Sequence, residues 1–380
     1  MSSTIRLAQF TRSFHLGGTE VQVIELLRGL PAAYDIHVGV LEAQGPLMET
    51  VRQLGFAPAT FPLKGSLASL NTALQVARLA RWLRRERIEL VHVHDFYSTM
   101  LVVPAARLAR VKVVVGRLDL SHWQGKARRA LHAQLTRMAD HVIVNAAAIQ
   151  RMVVDEERVN PSRVTVIHNG LDLARFDARV AEGLQAPLPD TQGAPVVIHV
   201  ANMNHPVKRQ EDLLDALAVL KRRGERLHAF LVGDGPRRQA LEGDARTRGV
   251  AEEVHFLGHR KDVPAILQRA TMGVLCSSAE GMSNAVMEGM AARLPMVVTR
   301  VGGNPDLIVD GERGRVVEAL QPRALADALS DVAKSPEDAR RYGENARRFV
   351  EQNLSLEQLV KNHDALYRTL LQREPLTGAA

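Results

Sequence analysis

The strongest indication of the fold lies in the segment Ser277-Ser278-Ala279-Glu280-Gly281-Met282-Ser283-Asn284-Ala285-Val286-Met287-Glu288. It follows a predicted strand and leads into a predicted helix, for which Ser283 or Asn284 is a suitable N-cap. The exposed N–H groups at such a helix start favour an anion, for example a diphosphate. A carboxylate before the helix, Glu280, and one in its first turns, Glu288, can each accept hydrogen bonds from a sugar diol. The alternative is that Glu280 only stabilises the helix dipole and that Glu288 lies on the surface.

Short apolar runs alternate with longer helical patterns along the whole chain, which is typical of βαβ units around parallel sheets. The series begins with a predicted strand at 5–10 and starts again with one at 196–200. Between the two series, residues 183–195 contain three prolines and two glycines, a composition typical of a linker. The pattern predicts an α/β fold with two Rossmann-like domains at 1–182 and 196–355. Ligands of open parallel sheets bind outside the carboxyl ends of the strands, so the cleft between the domains is the expected site.

The composition is that of a globular protein, with 46% hydrophobic and 24% charged residues in a chain of 380. This length suits two domains of about 150–200 residues each. No apolar run approaches the ~18 residues of a spanning helix, and the N-terminus has no apolar block of signal-peptide length. The single cysteine, Cys276, cannot form an internal disulfide, so a reducing cytosol is the expected compartment.

The formal net charge is +7, and most of the excess lies in residues 1–190, which have 23 Lys and Arg against 17 Asp and Glu. A basic first half suggests an anionic partner, such as acidic lipid headgroups, a phosphorylated acceptor or nucleic acid. Only 4% of the residues are aromatic and none interleave with basic runs, which disfavours nucleic acid. The alternative is an ordinary solvated surface rich in arginine.

The predicted helix 71–87 carries arginines beside apolar residues. The arginines are Arg78, Arg81, Arg84, Arg85 and Arg87, and the apolar residues are Leu74, Leu79, Trp82 and Leu83. A position on a membrane surface fits this pattern. However, the helix dipole also favours cations near a helix C-terminus, and an apolar stripe is needed for packing on a sheet. We therefore expect this stripe to pack inside the first domain.

At Glu280…Glu288 the chain resembles the retaining glycosyltransferases of family four, which have the two-domain GT-B fold and a Glu-x7-Glu motif. The resemblance covers roughly residues 4–370. In this family the first Glu contacts hydroxyls of the donor sugar and the second holds the nucleotide ribose, which implies these roles for Glu280 and Glu288. It also implies that a C-terminal helix, 356–373, packs back toward the first domain. The residues expected to line the donor between the two carboxylates are Gly281, Met282, Ser283 and Asn284.

Other segments resemble motifs of the same family, in the same order along the chain. The segment 14–20 resembles its N-terminal glycine loop, which implies that Gly17 and Gly18 approach the donor closely. The segment 200–208 stands where the family usually has an Arg and a Lys that neutralise the diphosphate. Lys208 is retained, whereas Asn202 occupies the arginine position.

Three turns complete the resemblance. Gly233 and Gly235 belong to a Gly-x-Gly-Pro turn near the expected base pocket, and residues 302–306 resemble a Gly-Gly-x-Pro-Glu loop with Asp306 as its last residue. The segment 168–172 resembles the Asn-Gly-x-Asp turn that ends the family's first domain, and we interpret it as structural.

The acceptor side has fewer matching residues. His94 ends a predicted strand in a His-x-His pattern, so it either faces the acceptor or is a core histidine. After the next strand many relatives have a His directed at the donor sugar, and here that region offers Arg117, Asp119 and His122. We predict that Arg117 and Asp119 line the cleft and act in catalysis with Lys208 and Glu280, and that His94 and His122 lie on the acceptor side.

No Asp-x-Asp motif occurs, which argues against a divalent ion on the donor diphosphate. No Cys/His cluster has zinc spacing either. We therefore expect neither a metal nor a cofactor, since the nucleotide-sugar is a substrate. Lys208 and a helix N-terminus would stabilise the charge of the leaving group.

The resemblance implies retaining transfer of a hexosyl unit from a nucleoside diphosphate sugar to an acceptor hydroxyl, with the leaving phosphate accepting the proton. The expected setting is envelope polysaccharide or glycolipid synthesis in the cytoplasm, with peripheral contact to an anionic membrane and without nucleic acid. One alternative is a nucleotide-sugar epimerase of the same fold, which would need an acid–base pair around the sugar. Another is an inactive binding homologue, which the Asn202 substitution and the missing His would favour.

Overall fold

The computed structural model describes residues 4–65, 69–121 and 124–373. The chain folds as two compact units. Unit 1 contains the chain up to Gly170 and from Leu356 onward, and unit 2 is Leu171–Ser355. Each unit is built on one parallel sheet, which confirms the predicted fold class of two Rossmann-like domains.

The described part of unit 1 contains a seven-stranded sheet with the order β3-β2-β1-β4-β5-β6-β7, and every neighbouring pair is parallel. The central strands are rich in buried apolar residues because helices cover both faces of such a sheet. The strands are β1 (Ile5–Thr11), β2 (Tyr34–Val40), β3 (Ala59–Thr60), β4 (Leu90–Val93), β5 (Lys112–Arg117), β6 (His141–Val144) and β7 (Val164–Val166).

The helices that follow these strands place their apolar residues against the sheet. They are α1 (Gly18–Gly29), α2 (Met48–Gln53), α3 (Leu70–Arg85), α4 (Phe96–Ala109), α5 (Lys126–Met138) and α6 (Ala147–Arg151). Leu79, Trp82 and Leu83 of α3 are buried, as the sequence predicts. The prediction is wrong for Leu74, which is 66% exposed because it points away from the sheet.

Unit 2 has a six-stranded sheet among the described residues, with the order β10-β9-β8-β11-β12-β13. Its strands are β8 (Val196–Val200), β9 (His228–Val232), β10 (Val254–Gly258), β11 (Met272–Leu275), β12 (Met296–Thr299) and β13 (Gly314–Val317). Its helices are α7 (Leu173–Ala181), α8 (Gln210–Arg222), α9 (Arg238–Thr247), α10 (Val263–Leu267), α11 (Asn284–Ala291), α12 (Asn304–Leu307), α13 (Pro322–Lys334) and α14 (Pro336–Asn353).

The chain enters unit 2 earlier than the predicted linker, 183–195. The reason is α7, which packs on unit 2: Phe176 is buried in the core of this unit, and Asp177 forms an ion pair of 2.7 Å with Arg347 of α14. Residues 171–182, predicted as the end of the first domain, therefore belong to unit 2.

The last helix, α15 (Leu356–Leu370), belongs to unit 1. Its anchor is Tyr367, a fully buried side chain whose hydroxyl lies 2.7 Å from Nδ1 of His92 on β4. Nearer its N-terminus, Asp364 accepts a hydrogen bond of 2.6 Å from the Tyr34 hydroxyl on β2. The buried phenol and the paired carboxylate hold α15 against the sheet.

The strand order reverses direction between β1 and β4 in unit 1 and between β8 and β11 in unit 2. In an open parallel sheet, the loops at such a switch point diverge and leave room for a ligand at the carboxyl ends of the strands. The switch point of unit 2 lies where the Glu280 loop follows β11.

No helix in the described ranges is long and apolar enough to cross a membrane.

Candidate active site

The Ser277–Glu288 segment has the strand–loop–helix form that its sequence predicts. Of the two suitable N-caps, Ser283 is the one observed, and its Oγ accepts a hydrogen bond from the Val286 N–H at 3.4 Å. Glu280 lies in the loop before α11, and Glu288 lies in the second turn of the helix. The side chain of Met282 is buried in the core of unit 2, so this predicted donor residue can offer only its backbone to a ligand.

Lys208 and Glu280 form an ion pair across the switch point. Lys208 ends a 3₁₀ turn, Pro206–Lys208, between β8 and α8. Its Nζ lies 2.6 Å from Oε1 of Glu280, which also accepts a hydrogen bond from the Ser277 hydroxyl at 2.5 Å. Within the described part of the chain, Oε2 of Glu280 accepts no hydrogen bond. The pair therefore keeps one carboxylate oxygen and two ammonium N–H bonds free for a ligand.

Backbone contacts fix the Lys208 turn against the loop after β11. The Ser278 N–H donates to the Val207 carbonyl at 2.9 Å, and the Cys276 thiol donates to the Arg209 carbonyl at 3.0 Å. Burial raises the pKa of the Cys276 thiol, so it stays protonated and remains a donor. The Arg209 guanidinium is bound to Asp212 at 2.6 Å. Arg209 is thus paired with α8, and it does not replace the arginine that the family usually has at the position of Asn202.

Two glycine turns bring four strand-end loops into backbone contact. Gly302, with a φ of +52°, lies so close to the Glu280 carbonyl that a Cβ would overlap it, and the Gly303 N–H donates to the Gly281 carbonyl at 2.9 Å. Gly233, with a φ of +134°, lies equally close to the Ala201 carbonyl. Only glycine fits such approaches. The loops after β8, β9, β11 and β12 therefore form one continuous edge.

The turn at Asp234 and Gly235, directly after Gly233, completes this edge. The Met203 N–H donates to the Asp234 carbonyl at 2.9 Å, and a Cβ on Gly235 would overlap the Met203 backbone. Asn202 lies at the start of this contact, and its carbonyl accepts a hydrogen bond from Gln210 Nε2 at 3.2 Å. The structure thus brings Asn202, Gly233 and Gly235 together, whereas their predicted role in donor binding stays a prediction.

His199 is a polar site residue that the sequence analysis missed. It lies within β8, is 1% exposed, and has no hydrogen-bond partner for Nε2 among the described residues. Burial, together with the nearby Lys208, lowers its pKa to about 4, so the imidazole is neutral. The available signal was one polar residue within the otherwise apolar strand Val196–Val200.

Glu288 is partly buried, and this burial raises the pKa of its carboxyl above the ordinary value. The positive charges of Arg179 and Arg175 act in the opposite direction. Both arginines lie one turn apart on α7. Sequence reasoning missed them because it placed α7 in the first domain, away from Glu288.

In unit 1, Gly17 and Gly18 lie at the N-terminus of α1, as the glycine-loop prediction requires. The Glu20 carboxylate folds back over Gly17 and fills the space that a Cβ would need. Burial raises the Glu20 pKa to about 7, with a smaller contribution from the Asp95 charge. Asp95 itself caps α4 and accepts from the Arg12 N–H at 2.7 Å. Neither carboxylate was recognised from the sequence.

His94, the predicted acceptor-side histidine, is a buried core residue. Its Nε2 lies 2.6 Å from Oε1 of Gln9, and its ring centroid lies 3.9 Å from that of His92. Burial lowers the His94 pKa to about 3. A small cavity of about 30 Å³ adjoins His94 and is also lined by Asn169 and His363. Of the two alternatives for His94, the structure favours the core residue.

Arg117 does not line an open surface, contrary to the prediction. It is 2% exposed, and its guanidinium forms a bidentate ion pair with Glu157, with Nη2 2.7 Å from Oε1. It also donates to Thr136 and Ser121. Asp119 accepts from the Ser121 N–H at 2.7 Å within its own turn. These contacts favour a structural role for Arg117, while His122 lies outside the described residues.

Across the described ranges, no group of three or more His, Cys, Asp and Glu side chains is arranged to hold a metal ion.

Comparison with known proteins shows the family. Residues 16–175 match the model "Glycosyltransferase Family 4" and residues 194–335 match "Glycosyl transferases group 1". The chain is 30% identical to the D-inositol 3-phosphate glycosyltransferase of Streptomyces scabiei over 376 residues, which covers 88% of this chain and 82% of that protein. The chain belongs to glycosyltransferase family four. The predicted recognition and the predicted enzyme class are thus confirmed.

Solved structures show the same fold. Anabaena Alr3699/HepE in complex with UDP-glucose superposes with a TM-score of 0.84 at 20% identity, over 96% of this chain and all of that one. The lipopolysaccharide outer core galactosyltransferase WaaB superposes with a TM-score of 0.77 at 17% identity, over 96% and 100%. This family-four enzyme therefore has the GT-B fold.

Proposed function

We propose that this glycosyltransferase transfers a hexosyl unit from a nucleoside diphosphate sugar to an acceptor hydroxyl, with retention of configuration. The observation that carries the proposal is the Lys208–Glu280 ion pair of 2.6 Å at the switch point of unit 2. A cation that can bind a diphosphate thus lies beside a carboxylate that can bind sugar hydroxyls, which supports the proposal. The UDP-glucose bound by HepE supports the same class of donor.

In this proposal each residue of the edge has one role. The free Oε2 of Glu280 accepts hydrogen bonds from sugar hydroxyls, and the Lys208 ammonium binds the diphosphate. Backbone N–H groups at the start of α11, near Gly281 and Ser283, face the same anion. The Glu288 carboxylate accepts hydrogen bonds from the ribose hydroxyls, and so it must be ionised when the donor binds.

The transfer breaks the bond between the sugar C1 and the diphosphate oxygen and forms a bond from C1 to the acceptor oxygen on the same face. The acceptor proton passes to the leaving diphosphate, so no protein nucleophile is needed. Lys208 stabilises the negative charge that develops on the leaving group, an electrostatic effect of the kind worth about 10²–10³ in turnover. In this scheme the ammonium replaces a metal ion, and we propose that none is required.

We further propose a glycan or glycolipid acceptor in envelope synthesis, on the cytoplasmic side of the membrane. The galactosyltransferase WaaB, of the same fold, acts on the outer core of lipopolysaccharide, which supports this setting. The excess positive charge of the first half of the chain suits an anionic acceptor or its membrane.

The donor is tested by the shift in melting temperature with UDP-, GDP- and ADP-sugars. We expect one base to give a clear shift, which Lys208→Ala reduces and Lys361→Ala, an exposed lysine on α15, does not. No shift with any donor would overturn the proposal.

The stereochemistry is tested by NMR of the product anomer, for which inversion would contradict retention. Conversion of the donor without any acceptor would instead indicate an epimerase.

A further inference from the structure

Two leucines of α3 project into solvent, one helical turn apart. Leu70 is 85% exposed and Leu74 is 66% exposed. Isolated exposed leucines are ordinary, but two neighbours at i and i+4 form a continuous apolar ridge. Leu79 and Leu83, on the opposite side of α3, are fully buried. The helix therefore packs on the sheet through that side, and this packing gives no reason for the exposed ridge.

The same side of α3 carries arginines. At about 100° per residue, Leu70, Leu74, Arg81 and Arg85 fall within roughly 60° of one another on the helix. Arg78 and Arg84 lie at the margins of this stripe and are also exposed. Leucines thus occupy the N-terminal half of the stripe and arginines its C-terminal half.

Acidic residues are absent from this part of the sequence: residues 50–85 contain no Asp or Glu. Arg81 forms no ion pair with any residue in the described ranges. Arg85 pairs only with its neighbour Glu86, at 2.7 Å. Arg84 donates to the carbonyl of Leu108 on α4, a residue that is itself 52% exposed. The positive charge of the stripe is therefore largely uncompensated.

We propose that this surface, the α3 face, docks on an anionic lipid bilayer. We define the α3 face as Leu70, Leu74, Arg78, Arg81, Arg84, Arg85 and Leu108. Its leucines enter the boundary between headgroups and acyl chains, and its arginines bind lipid phosphates while their aliphatic stems cover apolar surface. The stripe has the composition of an interfacial helix, with apolar residues beside cations and no acids.

Two other occupants fit the α3 face less well. A second copy of the chain that docked through the same face would bring four further arginines and no acidic side chain into the interface, and added like charge opposes association. A nucleic acid would meet arginines without an aromatic side chain on which bases could stack. A lipid surface supplies both negative charge and an apolar layer, so it alone matches both halves of the stripe.

The docking is measured by co-sedimentation of the full chain with vesicles, without donor or acceptor. One set of vesicles is phosphatidylcholine and the other has roughly one-third phosphatidylglycerol. We expect about tenfold stronger binding to the anionic vesicles, weakened by added salt. The double variants Leu70→Ser/Leu74→Ser and Arg81→Ser/Arg85→Ser should each lose about tenfold in binding to the anionic vesicles.

The matched control is Leu320→Ser/Arg340→Ser, which removes one exposed leucine and one exposed arginine from unit 2. It should bind vesicles like the unchanged chain. All variants should keep their melting temperature and its shift with donor, which shows that loss of docking is separate from loss of the glycosyltransferase site. Equal binding by the α3 variants would overturn the proposal. So would a solution dimer that the leucine substitutions dissociate, because the occupant would then be a second copy.

Discussion

Nζ of Lys208 lies 2.6 Å from Oε1 of Glu280, although 72 residues separate them in the chain. The two side chains follow strands that are neighbours in the sheet of unit 2, β8 and β11. The ion pair holds the ammonium in place before any diphosphate arrives, so little reorganisation is needed when the leaving group becomes charged.

We therefore predict that Lys208→Ala lowers kcat by about 10²–10³-fold, because the leaving diphosphate loses its nearest cation. Lys208→Arg should recover part of this loss. Steady-state kinetics with a fixed donor measure both variants, and Lys361→Ala serves as the control. If Lys208→Ala kept full turnover, the ion pair would have no role in leaving-group departure.

A double substitution tests whether Lys208 and Glu280 act as one unit. Because the two side chains are in direct contact, the losses from Lys208→Ala and Glu280→Ala should not add in the double variant. The measurement is a double-mutant cycle in kcat/KM. Additive losses would show that the two residues act independently on the donor.

The strand-end positions of Lys208 and Glu280 could be predicted from sequence, because an apolar run, a polar loop and a helix signal each follow in order. The contact between them could not, since strand order in a parallel sheet is not written in local sequence. Similarly, the Gly-rich turns were recognised as turns, whereas their backbone contact with the Glu280 loop is a tertiary property.

Arg117 shows where a strand-end signal misleads. A cation at the carboxyl end of a predicted strand resembles a site residue, but its partner Glu157 lies 40 residues away at the end of a π-helical turn, Met152–Glu156. Leu74 misled in the opposite way, since an apolar residue on a helix was assumed to be buried. In both cases the sequence gives the residue type but not the face that it occupies.

The buried Arg117–Glu157 pair leads to a second prediction. Arg117→Met should destabilise the chain by about 3–5 kcal/mol, because it leaves the Glu157 carboxylate largely buried and unpaired. The double variant Arg117→Met/Glu157→Leu should recover much of this loss. Urea unfolding measures both. A fall in turnover at unchanged stability would instead assign Arg117 to catalysis.

The third prediction concerns Gly302. It separates the cost of a positive φ from the cost of a steric overlap between a new Cβ and the Glu280 carbonyl. Gly224 and Gly302 both have a positive φ, +75° and +52°, but no atom lies near a Cβ added to Gly224. Gly224→Ala should therefore cost only about 1 kcal/mol. Gly302→Ala should cost about 1–3 kcal/mol more, because the new Cβ must displace the Glu280 carbonyl.

The displacement at Gly302 should also reach the donor site. We expect the melting-temperature shift with donor to shrink for Gly302→Ala and to remain for Gly224→Ala. If the two variants were equally stable and bound donor equally well, the close approach of the Gly302 loop to Glu280 would be wrong.

Glu288 gives the fourth prediction. Its carboxyl has a raised pKa, and the ionised form accepts stronger hydrogen bonds from the ribose hydroxyls than the neutral acid does. Donor affinity should therefore fall as the pH decreases through this raised pKa. Calorimetric titration at several pH values measures the effect. Glu288→Gln should bind donor weakly and without that step, whereas Glu252→Gln, on the surface, should behave like the unchanged chain.

The buried histidines carry the last prediction, which concerns stability. Burial is the main cause that lowers the pKa of these side chains from 6.5 to about 3 for His94, 2 for His132, 4 for His199 and 4 for His363. Below pH 6.5 the unfolded chain binds protons at these sites and the folded chain does not. Stability from this source is therefore fully present above pH 6.5 and is lost as the pH falls toward these values.

Each histidine should lower the free energy of unfolding by up to about 1.4 kcal/mol per pH unit below pH 6.5. Glu20 acts in the opposite sense. Because its pKa is raised from 4.5 to about 7, the folded chain holds a proton between these pH values that the unfolded chain has released, and this proton offsets the one taken up at a histidine of the unfolded chain. Urea unfolding between pH 7 and pH 5 measures the slope. His199→Gln should reduce it by close to one proton relative to the unchanged chain, because one neutral buried imidazole is removed. An unchanged slope in His199→Gln would mean that this imidazole binds its proton equally in the folded and unfolded chains, which would contradict its lowered pKa.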